Sequence, residues 1–89
     1  MFPVGEVAEV GAAIVGWKAI GATITIVAAA WATAYAQARI GSAGAGAIAE
    51  KPEVAGMIIA LEALPELVVI MGFVVSAMIL TTLNPPGVE

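Results

Sequence analysis

Glu62 and Glu66 stand one helical turn apart in "LEALPELVVIMG", residues 61 to 72, around Pro65 and among apolar side chains. An ionisable group at the centre of a bilayer costs at least ~2.5 to 3.5 kcal/mol on insertion scales. Two carboxylates in so apolar a stretch are therefore rarely there by chance: each is either a functional ionisable group or a structural one, Glu66 bonding an adjacent helix and Glu62 pairing with Arg39 or facing a wetted interior. Pro65 adds a second chemical feature, because it has no N–H to give to the carbonyl of Leu61. A carbonyl freed in lipid needs a partner, which a protonated carboxyl, a water, Gln37 or a cation would supply.

Gln37 and Arg39 are the polar side chains on the other side of the sequence that reach the same depth. With Lys51 and Pro52 as the turn of an antiparallel hairpin, Gln37 lies fourteen residues before Lys51 and Glu66 fourteen after Pro52. Both then sit ~21 Å from the turn, at one level in the membrane. Arg39 and Glu62 lie twelve and ten residues from the same turn. That puts them within ~3 Å of each other in depth. An ion pair between them, within one subunit or between neighbours, would relieve both burial costs if the two face one another.

Two helices must carry these groups. Ala19 to Ala38 is a charge-free run of twenty residues and Leu67 to Val88 is a second charge-free run. Each is long enough to cross a hydrocarbon core of ~30 Å. Between them "AEKPE", residues 49 to 53, gathers three charges and a proline. The pattern predicts an all-α membrane protein, a two-helix transmembrane hairpin. Its parts are an N-terminal segment (1–17), a first transmembrane helix (18–49), a polar loop (50–53), a second transmembrane helix (54–83) and a tail (84–89). The first helix is expected to begin near Gly16 to Lys18, with a further turn or two in the acidic leading segment. The second starts at Pro52 or Glu53 and stops before Asn84, Pro85, Pro86 and Gly87. Lys18, near the outer edge of the first span, can snorkel to the interface. The small residues of "AAAWATAYAQA" and "IGSAGAGAIA" let helix backbones approach closely, so the first helix expects neighbours on more than one side.

Composition narrows the function. Of 89 residues 62% are hydrophobic, with three basic and seven acidic side chains; the mean hydropathy is +1.07. A small soluble domain needs polar groups over most of its large surface, and this chain does not have them. Without cysteine or histidine, disulfides, thiolate metal sites and the commonest metal ligand and general base are excluded. No P-loop or Ser/His/Asp set is present, so the chain is read as no enzyme by itself, with no cofactor and no resident metal. A net charge of −4 argues against nucleic acid. "MFPVGEVAEVG" carries acids where a secretory leader would carry basic residues, and is not read as a cleaved leader.

The motifs "AQARIG" (36 to 41), "GAIAE" (46 to 50) and "LPE" (64 to 66), followed by the helix "ALPELVVIMGFVVSAMIL", carry a resemblance. They resemble the proteolipid, or c subunit (also called K), of rotary ATP synthases, most closely the archaeal and bacterial V/A type. The resemblance spans residues 22 to 83. It implies a homo-oligomeric c-ring with helix 1 as inner wall and helix 2 as outer wall. The family's ion-carrying carboxylate falls on Glu66 and its inner-helix glutamine on Gln37. The polar loop, Glu50, Lys51, Pro52 and Glu53, would touch the cytoplasmic central stalk. The partners implied are copies of the chain, membrane lipid, the stalk subunits and a stator membrane subunit whose arginine and two half-channels unload and reload Glu66. The location implied is the cell membrane, crossed twice, with the loop cytoplasmic and the termini opposite.

The identity of the ion follows from departures. Sodium-binding rings of this kind usually place Ser or Thr directly after the carboxylate, and many have a Tyr about one turn later; here those positions hold Leu67 and Met71. A hard cation wants several oxygen ligands. Like carboxylates one turn apart also repel when both are ionised, which favours holding a proton. The expected ion-binding set is Glu66, Gln37, Glu62 and the Leu61 carbonyl, with Pro65 as the kink and H+ as the cargo. Na+ at Glu66 and Gln37, with Glu62 lending an oxygen, is the alternative. Two rivals are a small exporter using Trp31 and Tyr35 as an aromatic cavity, and a purely structural membrane hairpin.

Overall fold

A computed structural model describes residues 2 to 82 of the chain. Helix α1 runs unbroken from Val4 to Glu50. A single 3-10 turn at Pro52–Val54 leads into α2, Ala55–Ala63, and after Leu64 and Pro65 the chain continues as α3, Glu66–Thr82. The two arms form an antiparallel hairpin 71 Å long and 15 Å across at its wider section.

The breaks follow from proline. Pro3 ends the irregular start, and its carbonyl accepts from Val7 N–H at 3.0 Å to open α1. Lys51, the residue before Pro52, is driven out of the helical region to φ −143°, ψ 87°, because the proline ring clashes with a helical predecessor. Pro52 then opens the next turn, where its missing N–H costs nothing. The Lys51 N–H still bonds the Ala47 carbonyl at 2.8 Å, and Val54 N–H bonds Lys51 at 3.1 Å, so the reversal keeps its backbone groups paired.

One expectation is corrected. The first helix does not begin near Gly16 to Lys18 but at Val4, since after Pro3 no residue breaks a helix and the glycines at 5, 11 and 16 only weaken one. The second arm, Pro52–Thr82, is interrupted at Leu64–Pro65, the position at which the sequence places a kink. The expected stop at Asn84, Pro85, Pro86 and Gly87, and Leu83 before it, lie outside the described residues.

Close approach of small residues holds the arms together. A methyl group at Gly72 would lie 2.5 Å from the Ala29 methyl, and one at Gly44 would collide with the Ile58 side chain. Ser76 Oγ donates to the Ala22 carbonyl at 2.9 Å near the open end. Ala22 is the one buried hydrophobic residue among those described, while Trp31 is 77% and Phe73 65% exposed. Both arms are long and apolar enough to cross a membrane. Such a hairpin has no core that would hold it folded in water; its apolar faces require lipid or further helices.

Candidate functional site

Thr33, Gln37 and Gly41 lie at successive turns along one face of α1, and that face meets the break between α2 and α3. The break is a tight turn. Leu64 N–H bonds the Leu61 carbonyl at 3.3 Å, Leu67 N–H bonds Leu64 at 3.1 Å, and Val68 N–H bonds Pro65 at 3.0 Å. These are i to i−3 bonds, the tighter pattern that a helix adopts when a proline removes a donor.

The Leu61 carbonyl is therefore not the open acceptor expected from the sequence: the Leu64 N–H takes it. The carbonyl that turns to α1 is that of Glu62, which accepts from Gln37 Nε2 at 3.3 Å. Gln37 Nε2 also donates to Glu66 Oε2 at 2.9 Å. The amide thus directs both of its N–H hydrogens at the second arm, leaving its oxygen to accept. One turn away, Thr33 Oγ1 donates to the Pro65 carbonyl at 3.0 Å and is itself buried. Thr33 clamps the proline turn from the same face on which Gln37 holds the carboxylate.

The two glutamates differ in setting. Glu66 is exposed on the surface of the hairpin, while Glu62 is half-buried and its Oε1 is wholly shielded without a hydrogen-bond partner. Arg39 does not meet Glu62 in the hairpin; its guanidinium lies over the Tyr35 ring, 4.9 Å from the centroid. The reason is rotational. Two residues past Gln37, Arg39 points ~200° round the helix, so equal depth does not make it face α2. Trp31 and Tyr35 stand likewise away from Glu66, Trp31 lining an open apolar groove with Thr23, Ile24, Val27, Ala28 and Ala32. The aromatic cavity that an exporter would build around its carboxylate is not formed by these residues. Glu50, Lys51, Pro52 and Glu53 are all exposed at the turn.

Thr33, the Glu62 carbonyl and Gly41 were not anticipated from the sequence. The signal for two of them was present, since Thr33 and Gly41 are spaced four residues on either side of Gln37 and so share its face. Chemically the arrangement is a carboxyl at the outer surface of a helical hairpin, held by one amide and set on a proline turn. It can hold a proton or a small cation and present it sideways.

A family model for the C subunit of ATP synthase matches residues 20–79. No curated protein and no solved structure matches the chain.

Proposed function

The chain belongs to the family of ATP synthase C subunits, and from that premise we propose that it is the rotor proteolipid of a V/A-type complex, with protons carried on Glu66. Membership makes it an ion-translocating part of the rotor, a two-span membrane hairpin that assembles with copies of itself and is not catalytic alone. The V/A assignment is supported by "AQARIG", "GAIAE" and "LPE". The observation that carries the choice of Glu66 is its bond from Gln37 at 2.9 Å, at the proline turn and on the exposed surface of the hairpin.

The mechanism is electrostatic. An ionised carboxylate facing lipid is costly and a protonated one much less so, so the ring turns through lipid only with its sites loaded. At the stator an arginine would stabilise the ionised carboxylate as its proton leaves into one half-channel, the Gln37 amide supporting the carboxylate while it is charged. The other half-channel would then reload it. Helix α1 would form the inner wall and the α2–α3 arm the outer wall. Glu50, Lys51, Pro52 and Glu53 would face the cytoplasmic stalk at the cell membrane, with the termini opposite. Protons are preferred over Na+ because Leu67 and Met71 supply no oxygen beside Glu66.

Glu66→Gln tests the reading. Glutamine keeps the size and can still bond Gln37, so rings assemble, while ion transport and coupled ATP synthesis in sealed vesicles are lost. Synthesis surviving in Glu66→Gln rings but not in Glu62→Gln rings would assign the carrier to Glu62 instead. Strong protection of Glu66 from a hydrophobic carbodiimide by millimolar sodium at alkaline pH would overturn the choice of proton.

A further inference from the structure

We infer that Gly41 is a positioning residue of the ion site: its missing side chain makes the notch in which the Glu62 carboxyl lodges, leaving Gln37 to Glu66. This rests on the reading of Glu66 as the carrier. A Cβ at Gly41 would lie 3.2 Å from Glu62 Oε1 and 3.8 Å from the carboxyl carbon. The first distance is inside the ~3.3 to 3.6 Å at which carbon and oxygen ordinarily meet. The same Oε1 is the shielded oxygen without a hydrogen-bond partner. Two independent features, a notch and an oxygen hidden in it, thus describe one packing arrangement.

Other glycines do not share it. Gly46 and Gly56 have open space where a side chain would be, and Gly44 and Gly72 are met by hydrocarbon from Ile58 and Ala29 as their nearest neighbours. Of Gly21, Gly41, Gly44, Gly46, Gly56 and Gly72, it is Gly41 whose vacant position faces a carboxyl. A methyl there obliges the Glu62 carboxyl to give by a few tenths of an ångström, and a larger side chain takes up the space it occupies. The donor on the same face of α1 is the Gln37 amide, one turn away, which already holds Glu66 and the Glu62 carbonyl. A displaced Glu62 carboxyl would compete with Glu66 for that amide. The glycine therefore keeps two carboxylates, one turn apart on the same arm, in separate places, and so selects which one is presented at the surface.

The test uses assembled rings in membranes, a hydrophobic carbodiimide, and mass spectrometry to assign the label. In the unaltered ring the label falls on Glu66. In Gly41→Ala we expect label to shift towards Glu62 and the rate at Glu66 to change. In a Glu62→Ala ring, adding Gly41→Ala should leave the Glu66 rate where it was. An equal effect of Gly41→Ala in both backgrounds, or none in either, overturns the inference, since the glycine would then serve packing alone. Should Gly41→Ala rings not assemble, Glu62→Asp replaces the variant: one methylene shorter, it cannot fill the notch and should draw label to position 62, and label confined to Glu66 overturns the inference. An unaltered ring in which Glu66 never labels instead sinks the carrier reading, and the inference with it.

Discussion

Replacing Gln37 by leucine removes the two bonds from α1 to the carboxylate turn while keeping nearly the same side-chain volume. The bond to the Glu62 carbonyl, at 3.3 Å, joins two neutral groups, and such interhelical bonds average ~0.6 kcal/mol in membrane proteins. The bond to Glu66, at 2.9 Å, becomes charge-assisted when the carboxyl is ionised and is then worth ~1.5 to 3 kcal/mol. The small term affects the hairpin and the large one affects the moment of unloading. If ionisation at the stator limits the cycle, losing ~1.5 to 3 kcal/mol there slows it ~10- to 100-fold. Rings carrying Gln37→Leu, reconstituted with the rest of the synthase in sealed vesicles, should assemble with normal mass and make ATP at least about tenfold more slowly. Synthesis at the unaltered rate would refute the idea that the amide serves the carboxylate. Loss of the ring itself would refute it too, by showing that the amide is mainly structural.

Glycine substitutions should separate by position: Gly72→Ala forces its methyl against that of Ala29, which cannot rotate away, whereas Gly21→Ala meets only Ile79 at 3.9 Å. The first should lower the melting temperature of detergent-extracted rings, as overpacking by ~1 to 3 kcal/mol does. The second should hold it or raise it, by up to ~1 kcal/mol of helix propensity. Thr33→Val deletes the bond to the Pro65 carbonyl, but Val68 N–H still bonds that oxygen at 3.0 Å, so thermal melting should show a loss of only ~0.6 kcal/mol. Pro65→Ala lets α2 and α3 join into one helix and draws the Glu62 carbonyl back into its ladder. Rings should melt higher yet couple less well, and an unchanged rate of ATP synthesis would show that the turn is dispensable.

The hairpin is legible in the sequence because its causes are local. Two charge-free runs set the arms, and Pro52 forces Lys51 out of the helix. Counting outward from that turn also brings Gln37 to the level of Glu66, where the two are bonded. Depth alone cannot give rotation, and so Arg39 shares a level with Glu62 without meeting it, standing instead over Tyr35. The Leu61 carbonyl departs from expectation for a related reason. A missing proline N–H is visible in the sequence, but the 3-10 bond from Leu64 that replaces it depends on how tightly the chain turns. The notch at Gly41 is hidden among many small residues, any of which would satisfy close packing.

The exposure of Glu66 has a consequence for how many copies must act together. In one hairpin Gln37 is the donor to the Glu66 carboxyl among the described residues, and the carboxyl otherwise lies exposed on an apolar arm. Burial of the remaining side must come from lipid or from neighbouring copies, and either makes the charged state costly away from the stator. On the proposed reading, the site is stable when loaded and intolerant of charge when empty. One charge crossing 100 mV yields only ~2.3 kcal/mol, so a single passage cannot drive ATP synthesis. In the proposed mechanism several sites would therefore pass the stator for each ATP made. A chain with one exposed carboxylate at the proline break, a small-residue face and a single buried hydrophobic residue among those described is suited to act through repetition in a ring.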